Sequence, residues 1–204
     1  TCWSFSGLGM LEAEVLRMGK GEHILSDMFI VRYTYLEKAI RYVRFHGSIN
    51  FSAGGAFHDV THIIKKYGIV PEEVYSGLQY GTSNHEHGEL DAVLKAYADA
   101  VIKNANKQLS PVWLQGYNAI LDTYFGPVPE KFTYKGKEYT PKSYAASIGL
   151  NPDDYVEFTS FTHHPFYTSF ILEIPDNWLH GESYNVPLNE LEEIIDYAIN
   201  NDYP

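Results

Sequence analysis

The sequence predicts an α+β chain, helical through its first two thirds and more β-like late. Three observations carry this. Apolar residues recur at spacings of three and four through several segments before residue 125, one face of a helix each time. Residues 155–174 (YVEFTSFTHHPFYTSFILEI) are instead rich in aromatic and β-branched residues, which favour extended chain. With 45% hydrophobic residues, 17 Tyr and 11 Phe, the chain can bury a substantial core, which disordered sequences cannot.

The elements follow in order. Phe5, Leu8, Leu11, Val15 and Met18 form the first helical stripe, ended by Gly19 and Gly21. Cys2, the single cysteine, lies at or just before that helix. Ser26 is a suitable N-cap for a second helix with Phe29, Tyr33, Leu36, Ile40 and Val43 inward, closed by Gly47. GSINFSAGG (47–55) reads as a loop. A third helix carries Phe57, Val60, Ile64 and Tyr67 and stops at Gly68. GIVPEEVYSG is an extended turn. Residues 89–107 read as a fourth helix, and Ser110-Pro111 starts a fifth that ends at Gly126. KFTYKGKEYT predicts a hairpin turning at Lys135-Gly136, and Thr140-Pro141 a short helix ended by Gly149. Residues 189–200 read as a last helix, with Asn189 and Glu192 as a capping box.

Charge and cysteine usage exclude several classes of function. The net charge of -11 argues against nucleic acid and anionic membrane as partners, since both need a basic face. One cysteine excludes an internal disulfide and any zinc site built from several thiolates. No apolar run reaches the ~18 residues of a membrane span. A cytoplasmic compartment is the expectation, with the periplasm or secretion left open because the chain begins at Thr1 rather than Met. A start on the only cysteine and a stop just past a helix suggest a fragment of a longer protein.

A lone cysteine is either an inert apolar residue or a nucleophile. The position of Cys2 suits a nucleophile. A helix N-terminus places partial positive charge and free N–H groups beside a thiol, and the same groups can stabilise an oxyanion on a substrate carbonyl. The histidines offer weaker chemistry. His58 and His62, four apart on the third helix, have metal-ligand spacing, but Asp59 at i+1 points elsewhere, and helix packing is the simpler reading. His85 and His87 read as solvated. His163-His164-Pro165 reads as structural, next to a turn. The acidic clusters at 72–73 and 190–193 read as solvated faces.

CWSFS heading an amphipathic helix resembles the active-site segment of the papain-like cysteine peptidases. A second resemblance lies at 52–75 (SAGGAFHDVTHIIKKYGIVPEEVY). It holds a Gly-Gly pair some fifty residues after the cysteine, then a helix, Tyr67-Gly68-Ile69 and Tyr75. The long interval before the helix at 189 resembles the bleomycin hydrolase and aminopeptidase C branch, in which a largely helical insertion divides the catalytic domain. The resemblance implies three parts. Residues 1–75 are the helical half, 76–185 the insertion, and 186–204 the start of an incomplete β half.

The resemblance also implies roles. Cys2 is the nucleophile, and Gly54, Gly55 and Trp3 bind peptide substrate. Glycine suits that role because a substrate strand pairs with exposed backbone there. No metal and no organic cofactor are implied. Ala53 departs from the Asn or Asp usual before the Gly pair. The family's catalytic His, its Asn partner and the oxyanion Gln fall outside these residues, so none is assigned here. The isolated chain is therefore expected to be inactive and to expose apolar surface that pairs with the rest of the protein or a second copy. Two other readings remain: a papain-like binding or scaffold module without catalysis, and a helical scaffold whose motifs are coincidental. The last requires Gly54-Gly55 to lie away from Cys2.

Overall fold

The computed structural model describes residues 1–204. Helix α1 spans Cys2–Arg17 and buries Leu8, Leu11 and Val15, while Phe5 is exposed. Helix α2 spans Asp27–Arg44. Its start is fixed as the sequence predicts, with Ser26 Oγ accepting from Phe29 N–H at 3.1 Å. Helix α2 is buried on most of its circumference, so a single stripe understates it. It is the central helix, packed by α1, by α3 (Phe57–Tyr67), by α4 (Gly88–Ile102) and by α5 (Trp113–Phe125).

Gly68 ends α3 at φ 86°, and a Cβ there would strike the Pro141 backbone, so both conformation and space demand glycine. Helix α4 stops five residues before the 107 that the sequence predicts. There the Asn104 side chain donates to the Val101 carbonyl at 2.7 Å and Lys107 takes φ 53°, local alternatives to continuing the helix. Helix α5 begins at Trp113, after a turn in which Ser110 Oγ accepts from Val112 N–H.

The hairpin forms as predicted, β1 (Phe132–Tyr134) antiparallel to β2 (Lys137–Tyr139), with positive φ at Lys135 and Gly136. Helix α6 (Pro141–Ser147) is capped by Thr140 Oγ1, which accepts from Ser143 N–H. A small sheet follows in the order β3-β5-β4, from Phe158–Thr159, Glu182–Asn185 and Thr168–Ile171. Strand β3 is parallel to β5 and β4 antiparallel to it. The central strand, ESYN, carries no sequence signal for a strand.

Helix α7 (Leu188–Asn200) has Pro187 before it, not the Asn189 cap that the sequence predicts; Asn189 lies inside the helix. None of its residues is buried, and Leu188, Ile195, Tyr197 and Ile199 are exposed. One apolar core of 27 buried residues runs unbroken from α1–α3 through α4, α5 and α6. No helix is long and apolar enough to cross a membrane.

Candidate functional site

Cys2 is the first residue of α1, and it is exposed. The first turn begins with Ser4 N–H donating to the Thr1 carbonyl at 3.0 Å, so the N–H groups of Cys2 and Trp3 have no helical partner. Trp3 turns back across the fold, and its Nε1–H donates to the Ala53 carbonyl at 3.0 Å. One bond thus ties the cysteine turn to the Gly54-Gly55 loop, fifty residues away.

Gly55 lies against that indole. A Cβ there would sit 2.8 Å from Trp3 Cε2 and 2.6 Å from Asp59 Oδ2. Gly54 is equally constrained, because a Cβ would collide with the Asp176 carboxylate. Asp176 reaches over the loop with only loose partners, Asn50 Nδ2 at 3.4 Å and Ser52 Oγ at 3.5 Å.

The loop is held from below by groups the sequence reading missed. Lys38, almost fully buried on α2, donates from Nζ to the carbonyls of Ser52 at 2.7 Å and Gly54 at 2.5 Å. Burial pulls its pKa down to about 8, against the charges of Asp59 and Asp176. Asp59 is fully buried at the start of α3, where its Oδ2 accepts from Ala56 N–H and from Trp178 Nε1–H, each at 2.9 Å. Burial raises the Asp59 carboxyl above the ordinary range. Arg41 donates to the Trp178 carbonyl at 2.6 Å. Lys38, Asp59, Asp176 and Trp178 come from three distant segments, so no local spacing announces them.

Beside this loop runs an open groove of about 1010 Å³. Ser48, Ile49 and Asn50 form one wall and residues 170–175 with Trp178 the other.

His58 packs, as the simpler sequence reading has it, whereas His85 and His87 depart from theirs. His58 Nδ1 faces Glu157 Oε2 at 3.0 Å, and Glu157 Oε1 also accepts from His58 N–H at 2.9 Å. Ser183 Oγ donates to the same carboxylate, and a Cβ on Gly181 would meet the His58 ring at 2.7 Å. Burial disfavours the His58 imidazolium, but Glu157 outweighs it and holds the pKa above the ordinary value. Burial lowers His62. His85 and His87 are half-buried rather than solvated, with His87 edge-on to Phe125 and burial lowering both. No side-chain hydrogen bond joins Cys2 to any of the nine histidines.

No protein-family model matches the sequence, and no curated protein is similar to it. The fold is similar to that of PepW from Lactobacillus rhamnosis HN001, with a TM-score of 0.70 over 99% of this chain and 19% identity. The chain spans about half of that structure, 55% of its length. At this identity the likeness shows the fold.

Proposed function

We propose that this chain is the nucleophile-bearing part of a papain-like cysteine peptidase of the bleomycin hydrolase and aminopeptidase C branch. The parent protein hydrolyses peptide bonds through a Cys2 thiolate and an acyl-enzyme. The observation that carries the reading is the Trp3–Ala53 bond, which sets the Gly-Gly loop against the turn that bears the cysteine. Coincidental motifs in a helical scaffold would have no reason to meet.

In this reading the thiolate attacks the substrate carbonyl, and the unpartnered N–H groups at the head of α1 face the developing oxyanion. The Gly55 backbone pairs with the substrate strand, and Trp3 walls the cleft. Asp176 sits over Gly54, where it shortens the cleft and offers negative charge to a free amino end, which suits release of amino-terminal residues. Residues 76–185 are the insertion that supplies Asp176. In this reading the histidine base and its orienting partner are not among residues 1–204, and α7 leaves Leu188, Ile195, Tyr197 and Ile199 exposed. The neighbour called PepW supports a peptidase by its name as well as its fold.

The rival reading is a papain-like module without catalysis. Alkylation of the full-length protein with iodoacetamide at mildly acidic pH separates them, since only a nucleophilic Cys2 reacts fast there. The 204-residue chain alone is expected to show no turnover. Peptidase turnover by it would place a base inside these residues and refute the division of labour described here.

A further inference from the structure

The segment beyond the Gly-Gly loop carries a cluster that peptide hydrolysis does not use. His163, His164 and Glu173 each present one donor atom, and the three atoms lie within 4.8 Å of one another. His164 Nε2 is 3.5 Å from Glu173 Oε2. Two donors of a tetrahedral zinc ion, each about 2.0–2.1 Å from the metal, stand about 3.3 Å apart. One edge of such a polyhedron is therefore nearly formed, and a small movement of the exposed His163 ring closes the third donor onto it.

The fold holds this arrangement in place. Asn185, fully buried in the central strand β5, grips the histidine loop on both sides. Its Oδ1 accepts from Phe161 N–H at 2.8 Å, and its Nδ2 faces the carbonyls of Phe161, His164 and Pro165 at 2.9, 3.1 and 3.2 Å. The His164 ring is stacked on Phe170 of β4, with centroids 3.8 Å apart and planes 18° from parallel. Glu173 follows two residues after β4 ends. Both donor-bearing segments are thus fixed by the β4–β5 pair, and the ordering cost is met by folding. An exposed His–Glu ion pair would explain little of this, since Glu173 is 70% exposed and such a pair is worth little in water.

We propose that His163, His164 and Glu173 form a binding site for one divalent transition-metal ion, zinc foremost, with a coordination position open to the groove. Two imidazoles and a carboxylate favour zinc, nickel or copper over magnesium or calcium. Three protein donors leave one tetrahedral position for water or an exogenous ligand, unlike the four-donor sites of purely structural zinc. His164 and Glu173 both line the groove of about 1010 Å³, so that position faces it. The site is independent of the role given to Cys2.

The test is calorimetric titration of zinc chloride into the metal-free chain carrying Cys2→Ser, so that no thiol competes. One equivalent is expected to bind, with no heat from magnesium. Glu173→Gln and His163→Ala are each expected to weaken binding at least about tenfold, a loss seen even for residues that only orient a ligand. Both residues are exposed, so circular dichroism should show the fold intact. His62→Ala is expected to change nothing. Cobalt in place of zinc should give the visible spectrum of a tetrahedral ion. Absence of binding, zinc affinity unchanged in Glu173→Gln and His163→Ala, or binding lost in His62→Ala would overturn the proposal.

Discussion

Gly55→Ala adds one methyl group where the fold has no room for it. The new Cβ would lie 2.6 Å from Asp59 Oδ2, 2.8 Å from Trp3 Cε2 and 2.9 Å from Trp3 Cδ2. Neither neighbour is free to retreat. Trp3 is anchored by its bond to the Ala53 carbonyl, and Asp59 is fully buried and accepts two hydrogen bonds. Overpacking of this kind costs about 1–3 kcal/mol. For a chain of this size each kcal/mol moves Tm by roughly 2–4 °C, so a fall of roughly 2–12 °C is expected. Gly9→Ala is the control. It lies in α1 with nothing within 4 Å of the added carbon, and alanine in a helix gains about 0.5–1 kcal/mol over glycine. Thermal denaturation followed by circular dichroism measures both. If Gly55→Ala is as stable as wild type while Gly9→Ala behaves as stated, the tight contact between the glycine loop and Trp3 is refuted.

Asp59→Ala should cost about 2–4 kcal/mol, because it leaves Ala56 N–H and Trp178 Nε1–H without their acceptor. Asp59→Asn should cost much less, since one amide oxygen can take the place of Oδ2; equal losses in chemical denaturation would contradict this. The His58–Glu157 pair gives a pH signature. His58 is held above its ordinary value, so its contribution is present below about pH 6.5 and is lost as pH rises through the folded pKa. Burial opposes ionisation of Glu157, but His58 holds its pKa below the ordinary value. The contribution of Glu157 is therefore present above about pH 4.3 and is lost as pH falls through the folded pKa. The stability difference between wild type and Glu157→Gln should thus be largest between about pH 4.5 and 6.5 and shrink towards pH 8, and a flat difference would refute the pairing. Asp176→Asn in the full-length protein should reduce the preference for free over N-acetylated peptide amines, read as the ratio of kcat/KM for the two substrates. An unchanged ratio would remove Asp176 from amine recognition.

How far the sequence could be read depended on whether a residue's partners are local. Ser26, the Lys135-Gly136 turn and the Thr140 cap act within a few residues of themselves, and each stands where its spacing places it; Gly68 ends α3 locally, while its close approach to Pro141 lies beyond any local spacing. Helix α4 ends early because Asn104 offers its own backbone bond, which a periodicity count overlooks. Strand β5 was illegible because Ser183 and Asn185 are buried for hydrogen bonding rather than apolar packing, so the ladder carries no hydrophobic alternation. The meeting of Trp3 with the glycine loop was legible only through the family resemblance. The groups that fix that loop were not legible, because Asp59 meets Trp178 across 119 residues and Lys38 reaches the Ser52 and Gly54 carbonyls from α2. A buried lysine in a helix looks like any surface lysine until its carbonyl partners are known.

We propose that Cys2 is a nucleophile completed by residues outside 1–204. The most direct measurement is the rate of Cys2 alkylation by iodoacetamide at about pH 6, followed by intact mass, in the full-length protein and in the 204-residue chain. The expected result is rapid stoichiometric labelling of the full-length protein and labelling of the short chain no faster than an ordinary thiol. Slow labelling of Cys2 in the full-length protein would contradict the claim and leave a binding module.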